Sequence, residues 1–160
     1  MRIRTVAAAA IAGALGLALA AQAQEVPKQR VGLWRSDMVM AGQAISAKSC
    51  VDAASAARMS IFSSSIRRSD KCQQLQLSHN PDGSWTSVSR CEIRPGAPET
   101  SRADVSGDFN SRIVMTLRSP PTAKPEMTAT MTWIGPCGPG MRGGDVMMAD
   151  GTKVNVDPAP

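Results

Sequence analysis

The sequence has no tyrosine, two phenylalanines, three tryptophans and a single histidine. So few rings leave little on which exposed bases could stack, and apart from Arg67-Arg68 the basic residues are not clustered, so nucleic acid is not an expected partner. His79 stands beside an Asn80-Pro81 turn with no recognisable partner for base catalysis. No two cysteines have CxxC-type spacing, which removes the usual zinc pattern. The acidic residues are scattered singly, so spacing nominates no glycosidase-like carboxylate pair. Gly138, Gly140, Gly143 and Gly144 surround Met141-Arg142, but no Lys-Ser/Thr follows them as a phosphate-cradling loop requires, and they read as a structural loop. Beyond the first residues there is neither a long apolar run nor an internal repeat.

What is present begins with an export signal. Arg2 and Arg4 form a short positive region, Val6 to Ala20 is uncharged and apolar, and Ala21-Gln22-Ala23 supplies the small residues that a signal peptidase reads. Residues 1–23 are predicted to be cleaved before Gln24. The apolar stretch is short and Ala-rich compared with the roughly 20 strongly apolar residues of a spanning helix. No cysteine near the cleavage site suggests a lipid anchor, and no Arg-Arg pair suggests twin-arginine export. Residues 24–160 then form one domain, expected to be a soluble monomer of the bacterial periplasm with no membrane span. The formal net charge of +5 loses Arg2 and Arg4 with the leader, which leaves too little charge for a strongly basic polyanion binder.

Cys50, Cys72, Cys91 and Cys137 are an even set in an exported chain and read as two disulfides. Asn80-Pro81-Asp82-Gly83 is a strong turn signal. If it is the tip of a hairpin with His79 facing Ser84, then Leu75 faces Val88, Ser78 faces Trp85 and Cys72 lies across from Cys91. A bulged three-residue loop would move the register by one and spoil that pairing. Cys50 with Cys137 follows by elimination.

Hydrophobic alternation predicts a mainly β protein, an antiparallel meander folded as a sandwich or partly closed barrel with one short helix. Strands are expected over 31–40 and after the Ala41-Gly42 turn, in the two arms of the cysteine hairpin, and where Ala103 and Val105, and then Ile113, Met115 and Leu117, alternate with polar residues. The clearest run sets Met127, Ala129, Met131 and Trp133 against Thr128, Thr130 and Thr132. A last short pair, Asp145 to Met148 and Thr152 to Val156, flanks Ala149-Asp150-Gly151. Val51 to Met59, Ala-rich and free of Gly and Pro, is the candidate helix. Residues 60–70, rich in serine, are expected to form an exposed loop.

Gly32-Leu33-Trp34, the methionine strand with Met38 and Met40, and Cys50-Val51-Asp52 opening the helical stretch resemble an exported bacterial family known as domain of unknown function 3617. The two central cysteines and a late one near a Gly-rich end complete the resemblance, which would cover Arg30 to Gly144. Arg35 stands where that family usually has Glu. The resemblance implies export, β architecture and disulfides, and it assigns no activity.

The leading functional reading is a non-enzymatic binding or envelope-associated module without a cofactor. It would bury an apolar or amphipathic group against a sheet face lined by Trp34, Met38, Met131 and Trp133. Methionine is the compositional oddity, with ten in the chain. Thioethers favour Cu(I), so soft-metal handling is the first alternative, with Met38 and Met40, and also Met147-Met148, as ligands. Against it stands the habit of methionine to fill irregular cores, which Met115, Met127 and Met131 fit without help. An exported hydrolase with unrecognised carboxylates is the second alternative.

Overall fold

The computed structural model describes residues 26–62 and 71–156; the export signal expected over residues 1–23 and the Arg67-Arg68 pair lie outside them. The described residues form nine strands: β1 Gly32–Met40, β2 Gln43–Val51, β3 Cys72–His79, β4 Trp85–Arg94, β5 Ala97–Asp108, β6 Arg112–Arg118, β7 Met127–Gly135, β8 Asp145–Met148 and β9 Lys153–Asn155. They make one antiparallel sheet in the order β3-β4-β5-β6-β7-β1-β2-β8-β9. The fold is therefore mainly β, as the alternation implies. The sheet is not closed, because its end strands β3 and β9 do not pair with each other. The meander runs from β3 to β7, and the β1–β2 hairpin is set between β7 and β8.

Local chemistry explains the connections. Ala41 (φ 51°) and Gly42 (φ 80°) both take positive φ, the two-residue hairpin geometry that matches strand twist. Pro95-Gly96 makes a tight turn between two long strands, with Gly96 at φ 75°. Pro98 is tolerated in β5 because β6 pairs only with Arg102–Asp108, so on that side the missing N–H is not needed.

The hairpin of β3 and β4 differs instructively from expectation. His79 faces Trp85 rather than Ser84, because the Asn80 N–H reaches the Ser84 carbonyl at 2.8 Å and Ser84 joins the loop. Ser78 accordingly faces Thr86, and Leu75 lies at an irregularity between Gln74 and Gln76 instead of facing Val88. This bulge moves the register back by one, and Cys72 does face Cys91. Both disulfides are formed, with Cα–Cα separations of 4.1 Å for Cys72–Cys91 and 5.4 Å for Cys50–Cys137.

Directly opposed residues share a face of the sheet, so the registers define an inner face. Along it run Trp85, Val105, Ile113, Met115, Ala129, Met131, Trp133, Trp34 and Met38. Its core comprises Trp34, Val51, Ala56, Phe62, Trp85, Val105, Ile113 and Met131. The cover comes from topology: β2 and β3 are separated by β4, β5, β6, β7 and β1, roughly 30 Å at about 4.8 Å per strand if flat. Residues 52–62, which follow β2, lie over the inner face, with Ala56 and Phe62 in the core. Phe62 meets Trp85 at 5.6 Å and Phe109 at 6.0 Å between ring centroids, and Ile61 packs nearby. The expectation of an exposed loop from residue 60 fails at these two residues, whose apolar bulk is needed over the sheet; residues 63–70 lie outside the described chain.

The expected helix over Val51 to Met59 is also corrected. Val51 is the last residue of β2, so helical geometry can start only at Asp52. Two helical hydrogen bonds form, Ala56 N–H to the Asp52 carbonyl at 2.9 Å and Met59 N–H to the Ser55 carbonyl at 2.8 Å. Asp52 and Ser55 cap each other: the Ser55 N–H donates to the Asp52 carboxylate at 2.7 Å and the Asp52 N–H donates to the Ser55 hydroxyl at 2.9 Å. The result is a run of turns pinned by Ala56 in the core rather than an α-helix, consistent with the high cost of helix nucleation in so short a stretch.

Candidate functional site

Gly32, Leu33 and Trp34 show how sequence builds the inner face. Trp34 is fully buried, and its indole N–H donates to the Arg30 carbonyl at 2.7 Å. Trp133, opposite Trp34 on β7, donates to the Val31 carbonyl at 3.1 Å and carries the Arg30 guanidinium 3.7 Å above its ring. A Cβ at Gly32 would run into the Trp133 indole nitrogen and the Gly135 carbonyl, and Gly32 has φ +131°. Glycine is thus required for Trp133 to lie across β1.

The structure brings Trp34, Met38, Met131 and Trp133 onto one face of the β1–β7 pair: Trp34 faces Trp133, Ser36 faces Met131 and Met38 faces Ala129. They do not have equal access. Trp34 and Met131 are core residues, Trp133 packs against the core, and Met38 stands outside it, half-buried. Sequence reasoning missed the neighbours that continue this face: Ile45 opposite Met38, Leu117 opposite Met127, and Met127 opposite Met40. Ile45, Leu117 and Met127 are half-buried and Met40 is exposed. The signal was the parity of each run; which runs adjoin was not legible.

This apolar row ends in a depression of about 420 Å³ between the Ala41-Gly42 turn and residues 125–128, lined by Val39, Met40, Glu126 and Met127 among others. The Ala41 N–H donates to the Glu126 carbonyl at 3.3 Å and fixes its floor.

A second depression, of about 470 Å³, is polar and borders Arg142, Asp145, Lys153 and Asn155. Asp145 is buried, with its carboxylate accepting from the Arg142 N–H at 2.9 Å and the Asn155 amide at 2.7 Å, and with the Lys153 ammonium at 3.5 Å. Those bonds, the Arg142 N–H foremost, outweigh burial and hold its carboxyl below the usual carboxylate range. In the Gly-rich loop beside it the Gly144 N–H donates to the Cys50 carbonyl at 2.9 Å, and Gly143 lies against the Asp52 carboxylate, which a side chain at that position would have to displace.

On the outer face Asp104 accepts from Arg102 at 2.8 Å, Thr86 at 3.0 Å and Arg118 at 2.5 Å. Burial pushes its carboxyl up, but the bonds from Arg102 and Thr86 and the charges of Arg102 and Arg118 outweigh that and hold it down. The carboxyls of Asp52, Asp82, Asp108 and Asp150 are lowered too, chiefly by Ser55, Ser84, Asn110 and Thr152, each within three residues in sequence. A carboxyl acting as general acid needs the opposite shift. His79 closes β3 beside the turn and stacks on Trp85 with ring centroids 4.7 Å apart. Among the described residues no group of three or more His, Cys, Asp and Glu side chains is placed to hold a metal ion. No helix among them is long and apolar enough to cross a membrane.

Residues 27–137 match the family model described as "Protein of unknown function (DUF3617)". No curated protein and no solved structure matches the chain.

Proposed function

The chain belongs to the DUF3617 family, and from that premise we propose that it is an exported, non-enzymatic binding module that buries a small apolar or amphipathic group against the inner face of its sheet. The observation that carries this reading is the continuation of the core face beyond its cover. Ala129 and Met131 are buried, yet Met38, Leu117, Met127 and Ile45 beside them are half-exposed and Met40 more so. Met131 acts as the floor with Trp34 packed beneath it in the core, Met38 and its neighbours as the open wall, and Trp133 as a flank. A polar rim is supplied by Glu126.

Export rests on the leader of residues 1–23, cleaved before Gln24, and on the disulfides. Two bridges that consume all four cysteines fit an oxidising compartment, here assigned to the periplasm. The mature chain, residues 24–160, acts as a single-domain monomer.

Native mass spectrometry of the protein recovered from the exported fraction, before and after denaturation and reduction, tests the reading. A chain that starts at Gln24, holds two disulfides and releases a discrete apolar molecule on denaturation is expected. A mass that retains residues 1–23 would overturn cleavage, and an oxidised but empty chain would speak against a resident ligand.

A further inference from the structure

The structure divides the methionines by burial. Met131 is in the core, and Met59 and Met115 pack against it; these are the gap-fillers that methionine commonly supplies. Met38, Met40 and Met127 have no place in that cluster, and Met40 is 48% exposed. An apolar core needs none of these three. They are nonetheless neighbours: Met38 and Met40 are two residues apart on one face of β1, and the register sets Met40 directly opposite Met127 on β7. Opposed side chains start from Cβ atoms about 4.5–5.5 Å apart, and alternate residues of a strand about 6–7 Å apart. Three unbranched thioethers span those distances. Met40 and Met127 line the same open depression of about 420 Å³, with Glu126 at its border.

We propose that Met38, Met40 and Met127 form a three-thioether site for a soft monovalent cation, Cu(I). Thioether sulfur selects Cu(I) over harder cations, and with all four cysteines held in disulfides it is the soft donor that remains among the described residues. The carboxylate of Glu126 adds a negative charge at the rim. Met147 and Met148 do not form a comparable pair, because adjacent residues of β8 point to opposite faces; the first opposes Lys48 and the second Ala47. This inference goes beyond the apolar-ligand reading and does not rest on it.

Anaerobic titration of the full mature chain with Cu(I) in competition with a chromogenic chelator tests it, with Ag(I) as a redox-inert check by native mass spectrometry. One ion per chain is expected. Met40→Leu and Met127→Leu should each weaken binding on the order of tenfold or more, since even outer-shell partners commonly carry that much. Met38→Leu should act in the same direction, and Met115→Leu should leave affinity unchanged. Leucine keeps the size and apolarity of methionine, so these variants should still bind an apolar ligand, and the two readings can fail separately. Absence of uptake against the chelator, or uptake indifferent to Met40→Leu and Met127→Leu, would overturn the site.

Discussion

A single residue illustrates how tightly the inner face is specified. At Gly32 the Trp133 indole and the Gly135 carbonyl leave no room for a Cβ, and the backbone φ of +131° is one that other residues rarely adopt. Gly32→Ala combines overpacking with backbone strain, each worth about 1–3 kcal/mol. The expected result is a loss of about 3 kcal/mol or more and a melting temperature lower by roughly 10 °C for a chain of this size, read by thermal denaturation. An unchanged melting temperature would mean that Trp133 does not lie across β1. The sequence showed Gly32, Trp34 and Trp133 as a motif or as members of alternating runs, and it could not show that the first makes space for the third. The methionines were legible only in part. Parity put Met127 and Met131 on one face alike, but burial depends on where residues 52–62 lie over the sheet, and no local pattern encodes that.

Strands and turns were the most legible scale, because period-two alternation and positive-φ turn residues are local signals. The Met127–Gly135 strand and the final hairpin lie where alternation put them. The cysteine hairpin was legible for a subtler reason. A longer loop at its tip and a bulge at Leu75 offset each other, so a register drawn straight from tip to base met the cysteines correctly while misplacing the pairs between. Bulge and loop composition could not be read from the turn tetrapeptide alone. It follows that deleting Leu75 removes the bulge without moving Cys72 from Cys91. The deletion variant should still show no free thiols on denaturation. Because β3 is an end strand and bulges discourage edge pairing, it should also self-associate more readily in size-exclusion chromatography. Two free thiols in that variant would contradict the register. The missing helix is the opposite case: its composition favoured α geometry, but β2 claimed Val51 and the inner face claimed Ala56.

At the scale of the whole molecule, the described residues form an open sheet of nine strands that is covered on one face by residues 52–62, which follow β2. Cys50–Cys137 ties β2 to the segment that follows β7, and Cys72–Cys91 staples the far edge. In the loop-entropy view such bridges contribute about 3–5 kcal/mol each, which suits a chain with few large core side chains. Strand order was beyond sequence reasoning, since pairing β1 with β7 is a long-range choice that no short motif declares. That same order places the half-exposed row of Ile45, Met38, Met127 and Leu117 at the edge of the core, and the binding reading stands on that row. The most direct measurement is a tryptophan-fluorescence titration of the mature protein with a single-chain fatty acid, run on wild type and on Leu117→Lys. Leu117 lies outside the core, so circular dichroism and thiol counts should be unchanged in the variant. Saturable one-to-one binding by wild type, lost when a charged side chain interrupts the apolar row at position 117, is the expected result. Binding that never saturates, or that Leu117→Lys leaves intact, would contradict a ligand site on the inner face.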